Sequence, residues 1–247
     1  MTAPRRPFFL SWLKLAEHLI FPSTCRLCSA FLDEPGFKIV CRECWAGVRP
    51  AGVPFCPRCG RFYAGGAAPS FCQDCLDFPS PFTLHRSCGF YEGKLRDIIL
   101  LFKYKRMRIL GQGLAAFIQR SLAGESVLWK EVDAVVPVPL HPRRKRERGY
   151  NQALVLAAEV AGFKGLDLLD KCLVKIRNAP PQASLEARAR RENVRGAYRT
   201  AREKNLRGKI ILLVDDVYTT GATLRECARV LKKAGAKEIR AITVAQA

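Results

Sequence analysis

The 247-residue chain lacks any apolar run of the roughly 18 residues needed to cross a bilayer, because its apolar opening is broken by Lys14, Glu17 and His18. No membrane span is expected, and Phe8 to Ile20 reads as an amphipathic helix rather than a signal peptide. Acidic residues are also scarce: 22 Asp plus Glu face 42 Lys plus Arg, a formal charge of +20. That imbalance directs attention to phosphate-bearing partners, either nucleic acid or a phosphorylated small molecule. No G-x-x-x-x-G-K-S/T spacing occurs, which excludes a P-loop. With 49% hydrophobic residues the chain is neither disordered nor collagen-like.

Cysteine is abundant. Eleven cysteines without an export signal imply a cytoplasmic, reducing setting, where clustered thiols favour metal over disulfides. Eight of them form four Cys-x-x-Cys pairs, Cys25/Cys28, Cys41/Cys44, Cys56/Cys59 and Cys72/Cys75, and the second two pairs repeat the first two at an offset of 31. Eight thiolates make two tetrahedral S4 shells, so two structural Zn²⁺ ions are expected. The two-residue gap lets both sulfurs of a pair turn toward one ion, and Gly60 suits the tight turn that follows. The repeat favours sequential sites, one on Cys25, Cys28, Cys41 and Cys44 and one on Cys56, Cys59, Cys72 and Cys75; the spacing leaves an interleaved cross-brace open. Cys56-Pro-Arg-Cys59 is faintly redox-like, but a βαβ context is missing. Cys88, Cys172 and Cys227 lie in apolar settings and read as core residues.

The texture changes after Pro79 and Pro81. Loop-rich sequence gives way to alternating strand-like and helix-like segments, the signature of an α/β domain. Strands are expected at Leu84 to Tyr91, Glu131 to Val138, Leu168 to Ile176, Lys209 to Val214 and Glu238 to Val244. Helices are expected at Leu95 to Lys103, Gly111 to Leu122, Gly149 to Val160 and Gly221 to Ala234. Asn178 to Tyr198, rich in arginine and carrying two prolines, reads as a long mobile loop or hairpin, and such loops are usually functional. Two domains follow: residues 1–80, a helix and a zinc module, and residues 81–247, a parallel sheet flanked by helices.

The chemistry concentrates in Ile210-Ile-Leu-Leu-Val-Asp-Asp-Val-Tyr-Thr-Thr-Gly-Ala-Thr-Leu224. An apolar strand runs into two acids, then a hydroxyl-rich turn, then a helix. At the C-terminal end of a parallel strand, backbone N–H groups and the hydroxyls of Thr219, Thr220 and Thr223 would line one concavity at a helix N-terminus, which suits phosphate. Asp215 and Asp216 cannot help bind phosphate, but carboxylates accept hydrogen bonds from sugar hydroxyls. The combination describes a ribose 5-phosphate. Two basic runs, Arg143 to Arg148 and Arg188 to Arg202, sit beside possible ligand loops, although a solvated face would also account for them.

Residues 210–224 resemble the phosphoribosyl pyrophosphate (PRPP) binding motif of type I phosphoribosyltransferases. Val136-Pro-Val-Pro-Leu140, Arg148-Gly-Tyr-Asn-Gln152, the spaced set Gln182, Leu185, Arg190 and Asn193, and the cysteine-rich N-terminus together resemble the ComF family from Cys25 onward. These are competence-associated, phosphoribosyltransferase-like proteins that often carry a double zinc ribbon. The resemblance implies a type I phosphoribosyltransferase-like sheet behind the zinc-ribbon module. It implies Asp215 and Asp216 on the ribose hydroxyls and Thr219, Thr220, Gly221, Ala222 and Thr223 on the 5-phosphate. Pyrophosphate would lie by the loop after Val136 to Pro139, bridged to the ribose by Mg²⁺. Arg144 and Arg148 are the cations expected there, and Gln182, Arg190 and Asn193 belong to the loop that closes over the site. Tyr150 stands where the family usually has Phe.

Two functions follow from the resemblance. The first is transfer of phosphoribosyl from PRPP to an acceptor with release of pyrophosphate, in a protein linked to DNA uptake and natural transformation. The second is a non-catalytic PRPP sensor or accessory that contacts single-stranded DNA or a DNA-uptake helicase. No acceptor site can be read from the sequence.

Overall fold

A computed structural model describes residues 24–32, 38–63, 70–78, 80–177, 194–201 and 206–247. The expected N-terminal helix, most of the Asn178 to Tyr198 segment, and Gln182, Arg190 and Asn193 lie outside the described residues. Two compact units divide between Val48 and Arg49, well before the change of texture at Pro79. Among the described residues no helix is long and apolar enough to cross a membrane.

The smaller unit holds the first tetrad. A bridge between Thr24 and Phe31 closes a knuckle around Cys25 and Cys28, and a short helix, α1 (Arg42–Ala46), starts at Cys41. The larger unit begins with a second copy of this construction. Phe55 bridges Phe62 around Cys56 and Cys59, and α2 (Gln73–Asp77) starts at Cys72. Adding 31 to the first set of numbers gives the second, so the sequence repeat is also a structural one.

The rest of the larger unit is a five-stranded sheet. In chain order its elements are β1 (Leu84–Phe90), α3 (Gly93–Tyr104), α4 (Leu110–Ser121), α5 (Ser126–Trp129), β2 (Ala134–Pro137), α6 (Pro142–Arg148), α7 (Gln152–Lys164) and β3 (Asp167–Leu168). Then come β4 (Leu173–Lys175), β5 (Tyr198–Thr200), β6 (Ile210–Tyr218), α8 (Ala222–Lys233) and β7 (Glu238–Gln246). The sheet order is β1-β7-β6-β2-β3 and every pair is parallel. β6 is central, and its opening Ile-Ile-Leu-Leu-Val is wholly buried, as a strand covered on both faces requires. β4 and β5 form a separate antiparallel ribbon.

The strand expected over Leu168 to Ile176 is therefore two elements: β3 extends the sheet, while β4 leaves it to pair with β5. The expected helix from Gly149 begins only at Gln152. Gly149, with φ +85°, instead ends α6, a short helix that periodicity did not reveal because it carries no buried residue. Asn151 caps α7 by accepting from the Ala153 N–H at 3.2 Å. Cys88, Cys172 and Cys227 are buried, as core residues should be.

Candidate functional site

β6 carries both acids to the C-terminal edge of the sheet. Successive side chains on a strand face opposite ways, so Asp215 and Asp216 part toward the two faces of the sheet. Lys103 acts on both acids, and Lys175 acts on Asp215 as well. Lys103, at the end of α3, forms an ion pair with Asp216 at 2.8 Å, and both side chains are largely buried. Burial works against the Lys103 ammonium, but the Asp216 and Asp215 charges outweigh it and raise its pKa. On the other face, Lys175 of β4 acts on Asp215 and lies 5.2 Å from the Tyr198 ring centroid. Burial, and then the Arg144 charge, depress the Lys175 pKa.

Asp215 is the strained member of the pair. Burial, and then the neighbouring Asp216 charge, push its pKa up to about 7, although it accepts a 2.8 Å hydrogen bond from the Asp216 N–H. Such a carboxylate has spare acceptor capacity and titrates near neutrality.

The turn after β6 is set by shape. Gly221 has φ +72°, and a Cβ there would come within 2.4 Å of the Tyr218 hydroxyl oxygen, so glycine is the residue that fits. The Thr220 hydroxyl accepts from the Ala222 N–H at 3.4 Å, and the Arg225 N–H reaches the Gly221 carbonyl at 2.9 Å. α8 begins at Ala222 directly after this turn, so its first N–H groups follow Thr219 and Thr220 at the C-terminal edge of the sheet. The Thr223 hydroxyl also contacts the Tyr198 hydroxyl, joining the turn to the β4–β5 ribbon. Below, the Gly196 N–H donates to Glu226 of α8 at 2.6 Å.

The first basic run resolves into a face. Arg144 and Arg148, four residues apart on α6, are the part-buried arginines, whereas Arg143, Lys145 and Arg146 are exposed. Arg148 donates to the Gln152 side-chain carbonyl at 3.1 Å and lies over the Tyr104 ring, 5.1 Å from its centroid. The Tyr150 hydroxyl donates to the Phe102 carbonyl, and the Asn151 amide donates to the Val138 carbonyl at 3.0 Å. Arg148-Gly-Tyr-Asn-Gln152 is thus a junction tying the end of α3, with Lys103, to the loop after β2. Arg195 and Arg199 of the second run are described; the rest of that run is not.

Both cysteine groups close sequentially. Ligand sulfurs within each tetrad lie within 4.8 Å of one another, Cys25–Cys28–Cys41–Cys44 and Cys56–Cys59–Cys72–Cys75. Separations of 3.9 Å for Cys25–Cys44, 3.6 Å for Cys28–Cys41 and 3.5 Å for Cys59–Cys72 fit a tetrahedral ZnS4 shell. With Zn–S bonds of about 2.3 Å its edges are about 3.8 Å. Burial raises the Cys25 and Cys56 thiols, but backbone N–H groups aimed at their sulfurs outweigh it and bring both down to about 6. Cys44 and Cys59 are pushed up by burial and by neighbouring sulfurs, so four thiolates need a cation among them.

Comparison with known proteins agrees with the α/β domain and the two cysteine groups. Residues 16–76 match the double zinc ribbon domain and residues 166–247 match the phosphoribosyl transferase domain. The "DNA utilization protein YhgH" of Salmonella typhimurium is 31% identical over 224 residues, 90% of this chain and 96% of that protein. "Competence protein ComFC" of Streptococcus pneumoniae is 30% identical over 207 residues, 83% and 86% of the two chains. "Competence protein F" of Haemophilus influenzae is 29% identical over 84% of this chain and 90% of that one. The chain belongs to the ComF family.

In this ComF-family chain the acid pair, the threonine turn and the Arg144/Arg148 face converge on one edge of the sheet. Lys103 and Lys175 complete that edge, and sequence reasoning missed both. Lys103 looks like an ordinary basic residue in the last turn of an amphipathic helix, and Lys175 looks like a polar position near the end of the strand expected over Leu168 to Ile176. Nothing local distinguishes either one; only the sheet topology brings them to the acids.

Proposed function

We propose that this ComF-family chain binds PRPP at the β6–α8 turn and transfers its phosphoribosyl group to an acceptor, releasing pyrophosphate, in support of DNA uptake. The observation that carries the reading is the acid pair at the sheet edge, followed by the glycine-dependent turn into α8 and faced by Lys103, Lys175, Arg144 and Arg148. Asp215 and Asp216 would accept from the ribose 2- and 3-hydroxyls. Thr219, Thr220, Gly221, Ala222 and Thr223 would cradle the 5-phosphate. Mg²⁺ would supply charge neutralisation for pyrophosphate, which the Arg144/Arg148 face would hold, with Gln182, Arg190 and Asn193 on the closing loop. Leaving-group neutralisation and in-line positioning suffice for such a transfer, and no strong protein base is needed. The link to DNA rests on the names of the relatives, which speak of competence and DNA utilization; single-stranded DNA or a helicase is the partner this reading proposes.

The test is binding and turnover in one protein. PRPP with Mg²⁺ at a hundredfold excess over its dissociation constant should stabilise the chain by roughly 2.7 kcal/mol. Pyrophosphate release that depends on an added base, nucleotide or single-stranded DNA supports transfer. Stabilisation without release identifies a sensor, and no stabilisation refutes the assignment of the site.

A further inference from the structure

The two tetrads repeat one construction, and the copies differ at the left-handed turn of the knuckle. Ser29 and Gly60 occupy equivalent positions with the same left-handed backbone, φ +63° and +64°. Ser29 carries a side chain there. At Gly60 a Cβ would come within 2.5 Å of the His85 carbonyl oxygen, because the second knuckle lies directly on β1. The His85 N–H donates to the Arg58 carbonyl at 2.8 Å, and the Arg86 guanidinium donates to the Pro57 carbonyl at 3.0 Å. All four cysteines of the second tetrad are buried and belong to one core cluster with Tyr218, Leu224 and Cys227; in the first tetrad Cys28 is exposed.

From the second tetrad, contacts run to the ligand turn along two routes. His85 Nδ1 lies 2.7 Å from the Cys59 carbonyl; a carbonyl can only accept, so Nδ1 carries the proton. The buried His85 ring stacks on Tyr218 with centroids 4.4 Å apart and planes 21° apart, and Tyr218 is the residue against which Gly221 is fitted. On the second route Arg225, in the first turn of α8, points back to the Cys75 sulfur at 4.0 Å and lies over the Phe82 ring at 5.6 Å. The Arg225 N–H holds the Gly221 carbonyl. The turn over residues 219–221 is thus braced on both sides by residues that the second tetrad holds.

We propose that the second tetrad, through His85–Tyr218 and Arg225, is a positioning element of the ligand turn, and that the first tetrad is not. Loading Cys56, Cys59, Cys72 and Cys75 with zinc sets the carbonyl of Cys59 and the sulfur of Cys75, and through them the start of α8. The consequence for ligand rests on the reading of the β6–α8 turn as a phosphoribosyl site; the consequence for the turn itself does not.

The test uses the full zinc-loaded chain with three readouts: zinc content, hydrogen-exchange protection of amides 219–224, and calorimetric affinity for ribose 5-phosphate. Cys75→Ser should lose one zinc, lower protection of these amides at least tenfold without changing that of residues 134–136, and weaken ribose 5-phosphate about tenfold. Cys28→Ser should lose one zinc and keep wild-type protection at 219–224. Should Cys75→Ser fail to fold, Tyr218→Leu and Tyr218→Phe decide: with both zincs retained, the leucine should loosen the turn and the phenylalanine, which keeps the stacked ring, should not. Equal loosening by Cys28→Ser and Cys75→Ser, or unchanged protection in Tyr218→Leu, overturns the proposal. If wild type binds no ribose 5-phosphate while the exchange pattern holds, the phosphoribosyl reading fails and the coupling stands.

Discussion

Replacing the two acids one at a time should give opposite effects on the unliganded protein, although the sequence presents them as an equivalent pair. Asp216→Asn leaves Lys103 buried without its 2.8 Å partner, in a setting where the two side chains are only 14% and 12% exposed. Breaking a fully buried pair costs 3–5 kcal/mol, and the remaining solvent contact lowers this to about 2–3 kcal/mol. At about 2–4 °C per kcal/mol for a chain of this size, Tm should fall by about 5–10 °C.

Asp215→Asn should do the reverse. The folded-state pKa of Asp215 lies at about 7, above the ordinary 3.8, through burial and the Asp216 charge. Between these values the folded chain keeps a proton that the unfolded chain releases, so wild-type stability declines as pH rises through that window and the full cost is present at pH 8. At 1.36 kcal/mol per unit the ceiling is about 4 kcal/mol; partial solvent access and the coupling to Asp216 and Lys103 reduce the expected gain to about 1–2 kcal/mol. Tm at pH 8 should rise by about 2–6 °C, with a smaller rise at pH 5.5. Both variants should lose the stabilisation by PRPP and Mg²⁺. Calorimetric melting across this pH range, with zinc present throughout, checks the argument. Equal destabilisation by the two substitutions would make both acids structural and remove the basis for Asp215 as a ribose ligand.

Two further outcomes follow from the same geometry. Replacing Arg144 and Arg148 together with alanine should weaken PRPP far more than ribose 5-phosphate in calorimetric titrations, at roughly 1.5–3 kcal/mol for each charge-assisted hydrogen bond lost. Equal weakening of both ligands would show instead that the junction with Tyr104 and Gln152 had been disturbed. Gly60→Ala should cost about 2–4 kcal/mol in thermal melts through its clash with the His85 carbonyl, whereas Ser29→Gly should stay within about 1 kcal/mol; similar effects at both positions would argue against docking of the second knuckle on β1.

What could be read from the sequence followed from physical periodicity. β6 and α8 were legible because a buried parallel strand is a continuous apolar run and α8 is strongly amphipathic. The tetrads were legible from their spacing, although only the folded chain chose sequential closure over a cross-brace. α6 was hidden, since a helix with no buried residue has no apolar period to detect. The division of Leu168 to Ile176 into β3 and β4 was equally hidden, because the change of partner from β2 to β5 is a long-range choice. Lys103 and Lys175 were out of reach for the same reason: what makes them part of the site is proximity across the sheet edge, not residue type.

The same distinction governs the repeat. A 31-residue duplication describes two equivalent metal knuckles, and taken alone it assigns them equivalent roles. The difference lies in single residues whose meaning is spatial. Gly60 stands where the first copy has Ser29 because the His85 carbonyl occupies the space of a side chain, and Phe62 matches Phe31 in sequence yet donates its N–H to the Gln246 side chain at the end of β7. Phe31 remains exposed, whereas Phe62 lies 4.7 Å from the Phe90 ring. On the proposed coupling, loss of zinc from the docked copy moves the ligand turn through His85 and Tyr218. The two metal knuckles share one construction, and the second also packs against β1 and into the core cluster that contains Tyr218.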